Sequence, residues 1–320
     1  MSFLNPRTDI VFKKVFGNAE HTNILIDFLN NILELEPGNR IVKVIITDPY
    51  NHPKTINSKS SIVDISCTDE KNAHYIIEMQ VLNRNDFIER CQYYVATALS
   101  RQVQKGEGYI KIDPVIFIGI INFNLLESPE YFSHHKIINI KTHEHALKHS
   151  EYHFIELPKF KKSIDQLEND CDKWVFFLKN ADTLNTIPTE LKKPTAMQDA
   201  FTILEQANWT YKELDTYERD LDLQREKFVY RDTAIKEGMA EGIAKGMAEG
   251  MEKGMEKGME KGMEKGIEKG IEKGMAEGMT KGETKKAVEI AKKLLDILDI
   301  ETIAKKTGLT IAEVQALKKE

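Results

Sequence analysis

Ser61-Ile62-Val63-Asp64-Ile65-Ser66-Cys67 and Tyr75-Ile76-Ile77-Glu78-Met79-Gln80-Val81 decide how this chain is read. Both runs are short and rich in β-branched and aromatic residues, the composition of core strands. Each nonetheless carries an acid where a plain core strand carries none: Asp64 in the first, Glu78 in the second. The polar stretch Asp69-Glu70-Lys71-Asn72 lies between them. A turn centred on Lys71 predicts an antiparallel hairpin that sets Asp64 opposite Glu78. Directly paired residues share a face, with Cβ atoms about 5 Å apart. Gln80 joins that face because side chains alternate along a strand. Two facing carboxylates repel each other and are costly to desolvate. A divalent cation between them resolves both problems, and oxygen-only ligands suit Mg²⁺ or Mn²⁺ and not zinc. The alternative is a carboxylate at a strand edge that faces water; matched register on adjacent strands favours the metal.

Outward from the hairpin, further blocks follow in order. Asn5-Pro6-Arg7-Thr8-Asp9-Ile10-Val11-Phe12-Lys13-Lys14-Val15-Phe16-Gly17 precedes a helix containing Ile26-Asp27-Phe28-Leu29-Asn30. Gln104-Lys105-Gly106-Glu107-Gly108-Tyr109 precedes Asp113-Pro114-Val115-Ile116-Phe117-Ile118-Gly119-Ile120. Asp, a short hairpin, then Glu-x-Gln resembles the PD-(D/E)xK nuclease core, whose last position is usually Lys. The flanking blocks resemble the recombination-promoting nuclease and transposase family over residues 3–235. The triplet by itself is a weak signal; the blocks in order make the match specific.

The resemblance implies an α/β fold with a restriction-endonuclease-like core of helix, three strands, helix and strand. It implies a Mg²⁺- or Mn²⁺-dependent endonuclease that hydrolyses DNA phosphodiester bonds in recombination or transposition. Asp64 and Glu78 would be metal ligands and catalytic, with Gln80 in the lysine slot. Gln can position a water through its amide but supplies neither a positive charge nor a base. Asp9 is a further contact to the metal or its ligands, by family position alone. Arg90 and Arg101, on the exposed face of their helix, are candidates for phosphate contacts. The competing expectation is a decayed nuclease fold that binds DNA or oligomerises as a regulatory protein.

Composition narrows the partners. The net charge of −6, with 13 Lys/Arg against 16 Asp/Glu in residues 1–130, argues against a constitutive nucleic-acid coat. Three widely spaced cysteines (Cys67, Cys91, Cys171) form no CxxC or Cys/His cluster, so neither disulfides nor structural zinc are expected. No secretion signal is read at the N-terminus, and the longest apolar run, residues 115–121, is too short to span a bilayer. A cytoplasmic protein without membrane partners is the expectation.

Four regions are expected: a nuclease core over 1–160, an α-helical subdomain over 161–236 covering the sheet, a repeat spacer over 237–283, and a helix-turn-helix-like tail over 284–320. Residues 115–121, apolar throughout, should form a central strand covered on both faces. Residues 86–105 read as an amphipathic helix. His134, His135, His143, His145, His149 and His153 lack a convincing ligand spacing and read as a solvated, irregular segment.

The repeat places a glycine at every fourth position from Gly238 to Gly282, twelve of the eighteen in the chain. Each costs a helix about 1 kcal/mol relative to Ala. Like charges four apart, such as Glu256 with Glu260, oppose a helix further. A partly disordered charged spacer is expected, with strained self-association through the repeat and tail as the alternative. In the tail, Ala304, Gly308 and Val314 carry helix-turn-helix spacing, and Thr310 with Glu313 forms a capping box. DNA reading and a plain helical cap or dimerisation hairpin both remain open there.

Overall fold

The structure, a computed structural model, describes residues 3–51, 61–83, 85–103 and 112–318. Its elements are α1 (Asp9–Phe16), α2 (Thr22–Ile32), β1 (Val44–Thr47), β2 (Tyr50–Asn51), β3 (Ser61–Ile62), β4 (Ile65–Asp69), β5 (His74–Gln80) and α3 (Phe87–Arg101). There follow β6 (Val115–Ile121), β7 (Phe132–Ile137), β8 (Leu147–Glu156), α4 (Asp170–Asn180), α5 (Thr195–Leu204), α6 (Tyr211–Leu294), α7 (Ile300–Thr307) and α8 (Ile311–Leu317). Pro53 and the Gln104–Tyr109 block lie outside the described residues.

Six strands form one mixed sheet in the order β1-β4-β5-β6-β8-β7. The expected restriction-endonuclease-like α/β core is present, extended by the β7–β8 pair. β6 is buried at all seven positions, parallel to both neighbours, as a continuous apolar run requires. Alternation along β5 divides the layers: Tyr75 and Ile77 face a core with α1, α2, α4 and α5, whereas Ile76 faces α3. α3 buries Phe87, Cys91, Tyr94 and Val95 at helical spacing.

The hairpin register is the one predicted from the turn. Ile65 pairs with Ile77 and Thr68 with His74, a set centred on residue 71. The turn organises itself: Asp69 Oδ1 accepts from the backbone N–H groups of Lys71 (2.8 Å) and Ala73 (2.9 Å). Tyr75 Oη–H donates to Asp69 Oδ2 at 2.9 Å. Asn72 adopts φ +63°, a left-handed conformation that Asn tolerates well.

Three expectations need correction. The Asp64 strand is not continuous: β3 ends at Ile62, and Asp64 occupies a bend before β4. The bend arises because its carboxylate replaces a ladder acceptor, taking the Met79 N–H at 2.7 Å. The histidine segment is not irregular throughout. β7 and β8 pair antiparallel with His134 opposite His153, and a register shift at Lys136/Ile137 disguises the alternation. The glycine repeat is helical along its whole length within α6. Its glycines are isolated among three helix-compatible residues, and opposite charges four apart form pairs, Glu241–Lys245 at 2.7 Å and Glu249–Lys253 at 3.9 Å. Within the single chain, the apolar residue of every repeat from Met239 to Met279 is 54–74 % exposed.

Met1–Asp232 and Thr233–Glu320 group as two units. In the first, the helices expected to cover the sheet share a core with it: Trp174, Phe177 and Phe201 are fully buried in the cluster that contains Phe16, Phe28 and Ile77. In the second, Gly308 ends α7 at φ +74°, both hydrogen bonds of the Thr310–Glu313 capping box are present, and Ala291, Ile303, Ala304, Leu309 and Val314 make a small core. No described helix is long and apolar enough to cross a membrane.

Candidate functional site

Glu78 lies on β5 at 5 % exposure, on the α3 side of the sheet by alternation from Ile76. Its Oε1 is buried without a hydrogen-bond partner. Asp64, one residue before the β4 ladder, stands opposite it in the extended register. Burial raises the pKa of both carboxyls well above the ordinary range. For Glu78 the Asp64 charge adds to the rise, with Arg90, the Asp64 backbone N–H and Lys13 opposing it. For Asp64 the Met79 N–H opposes, Asp9 adds, and Lys13 and Arg90 oppose. Both carboxyls therefore feel the same two cations, Lys13 and Arg90, and Glu78 feels the Asp64 charge as well.

Arg90 corrects an expectation. It does not line the solvent face of α3. Its guanidinium turns inward, with Nη2 donating to Gln80 Oε1 at 2.8 Å, Nε 3.5 Å from Asp86 Oδ1, and the group 5.6 Å from the Phe87 ring centroid. Gln80 Nε2 in turn donates to the Leu82 carbonyl at 3.0 Å. Both ends of the amide are thus engaged, which sets the position of Arg90. Arg101, the last residue of α3, is half-buried.

Asp9 opens α1, where its backbone N–H donates to Asp220 Oδ2 at 2.9 Å and its carboxylate pairs with Lys13 at 2.7 Å. Its field reaches Asp64. Lys13 went unassigned in the sequence. Burial opposes its charge, but the Asp9 hydrogen bond and the fields of Asp9, Asp64 and Glu78 outweigh this and raise its pKa. The signal available was the Asp9–Lys13 spacing of four, one helical turn. What no spacing discloses is that α1 packs against the hairpin. The rest of the N-terminal block is structural: Arg7 pairs with Asp182 at 2.9 Å, and Lys14 with Glu213 at 2.7 Å, over the Trp209 ring.

These elements bring an Asp, a Glu two residues before a Gln, and flanking cations to one end of a mixed sheet. A family model described as a PD-(D/E)XK nuclease family transposase matches residues 6–234. The chain belongs to this family. Neither the curated proteins nor the solved structures contain a match. Membership in the PD-(D/E)XK nuclease transposases supports a nuclease or transposition-related role with DNA as substrate, and nucleases of this class generally use divalent metals.

The donor chemistry fits such an ion. Two facing carboxylates are hard oxygen donors, and the orphaned Glu78 Oε1 is a buried acceptor of the kind that a cation satisfies.

Proposed function

We propose that this protein is a metal-dependent endonuclease that hydrolyses DNA phosphodiester bonds in recombination or transposition. Asp64 and Glu78 hold the cation. A divalent ion held there supplies Lewis-acid polarisation of the phosphate and lowers the pKa of an attacking water. The buried Glu78 carboxylate facing Asp64, with one oxygen unpartnered, is the observation that carries the reading. The large majority of buried side-chain polar atoms have a hydrogen-bond partner, which makes this orphaned oxygen, facing a second carboxyl, the mark of a site.

Lys13 provides the positive charge that position 80 lacks. Its ammonium is stabilised by both carboxylates, so it suits a phosphate oxygen drawn towards them. Gln80 acts as a positioning residue for Arg90, whose guanidinium is the proposed contact to a substrate phosphate. Asp9 orients Lys13 through their hydrogen bond.

Plasmid nicking by wild type and by Asp64→Ala, in Mg²⁺, in Mn²⁺ and in EDTA, tests the proposal. Metal-dependent nicking that the variant loses while keeping its circular dichroism spectrum is the expected result. Equal nicking by both proteins would move catalysis to another site. DNA binding without cleavage, indifferent to metal, would favour the non-enzymatic regulator.

A further inference from the structure

His134 and His153 face each other across the β7–β8 ladder, and Glu151 precedes His153 by two residues, so all three share one side of the sheet. The two imidazoles stack with centroids 3.9 Å apart and planes at 23°. His134 Nε2 lies 3.1 Å from Glu151 Oε2, and His153 Nε2 lies 3.7 Å from the same oxygen. One ligand atom from each of the three residues falls within 4.8 Å of the others.

His153 is 2 % exposed, and neither of its ring nitrogens has a hydrogen-bond partner. An imidazole buried in that state loses its hydration without replacement. Phe132 stacks against it at 5.9 Å and contributes no polar atom. Lys136 Nζ stands 3.4 Å from Glu151 Oε1, the other carboxylate oxygen. The carboxylate is therefore divided, one oxygen towards a lysine and one towards two histidines. The arrangement makes sense if a further group sits among His134, His153 and Oε2.

We propose that His134, Glu151 and His153 form a second metal site, which takes one borderline divalent ion of the zinc class. Two imidazole nitrogens and one carboxylate oxygen, with a fourth position left to water, form a recurrent zinc donor set. Magnesium, which prefers oxygen ligands alone, is disfavoured there. His134 is partly exposed on the edge strand and gives the ion a path from solvent.

The site is separate from Asp64 and Glu78. The register runs Ile77–Ile118–His153 across one face of the sheet and Glu78–Gly119–Phe154 across the other. The histidine site lies two strands from β5 and opens on the opposite side.

Titrating chelator-treated full-length protein with ZnCl₂ alone, in a calorimeter, tests the inference. Wild type should bind one zinc that excess Mg²⁺ does not displace. His134→Ala and Glu151→Gln should each weaken that binding by roughly tenfold or more, since even the loss of an outer partner of a ligand acts on this scale. Asp64→Ala should keep it. Cobalt substituted for zinc should give visible ligand-field bands in wild type that His134→Ala lacks. His134 is the primary variant because it is partly exposed and its loss disturbs the core least; circular dichroism checks its fold. Absence of zinc binding by wild type, or equal affinity and stoichiometry in wild type, His134→Ala and Glu151→Gln, would overturn the inference.

Discussion

Glu78 is the residue where burial and charge conflict most. Its carboxyl and that of Asp64 are both shifted upward, first by burial, so folding without metal disfavours their ionised forms relative to the unfolded chain. Stability from this pair is complete below the ordinary carboxylate pKa and is lost as pH rises through the elevated values. In EDTA, Glu78→Gln should therefore raise the melting temperature at mildly alkaline pH by an amount equivalent to on the order of 1–2 kcal/mol, and leave it nearly unchanged near pH 4. Equal effects at both pH values would show that repulsion is not what the substitution relieves. Added Mg²⁺ should raise the melting temperature of wild type and not that of Asp64→Ala. Lys13→Met should depress cleavage at saturating metal much more than it depresses metal affinity, because its proposed partner is phosphate. Lys13, and the inward turn of Arg90, were hard to read in the sequence for one reason: both depend on α1 and α3 converging on the hairpin, which no local period encodes.

Among the elements, α6 shows how weak propensities and ion pairs compete. A Cβ at Gly258, Gly262 or Gly266 would meet nothing within 4 Å, so Ala at these positions fills open space. Each Gly→Ala change should favour the helix by about 1 kcal/mol. Far-ultraviolet circular dichroism of the triple variant should show helicity that persists to higher temperature; an unchanged profile would mean that glycine does not limit the repeat. In the tail, Thr310→Ala removes the side chain that accepts from Glu313 N–H and should cost about 1 kcal/mol in the unfolding of that small core. The capping box and the Gly308 turn were legible because both are short-range patterns. The β7–β8 pair was not: its bulge breaks the alternation, and histidine, polar by type, gives no hint that His153 is buried.

For the larger unit, the N-terminal helices, the sheet and the later helices depend on one another. Trp174 is fully buried against Phe16, Phe28 and Phe177, and its indole N–H donates to Asp27 Oδ2 at 2.9 Å. Trp174→Ala should destabilise the sheet as well as the helices by about 3–5 kcal/mol, read as one unfolding transition moved to lower temperature. A separate early transition would mean that residues 161–236 fold independently. A chain ending at residue 160 should fail to fold, because the face that α4 and α5 cover would be open to water. The element order was readable as far as β6, since the helices carried apolar faces at helical spacing and the strands were short runs rich in β-branched residues. That the 161–236 helices cover the sheet was readable from their apolar faces; which strand and helix residues they meet was not, because an apolar face does not name its partners.

The turn from Asp69 to Asn72 touches neither acidic ligand, yet it works as the ruler of the whole site. Its internal hydrogen bonds fix the count of residues between the two arms of the hairpin. One residue inserted beside Lys71 would turn a full set of side chains to the opposite face, sending one carboxylate towards α3 and the other towards the helices behind the sheet. The chemistry of this protein is therefore vulnerable to a reading-frame-preserving insertion in a loop that holds no reactive group, whereas four residues added to the glycine repeat would leave it untouched.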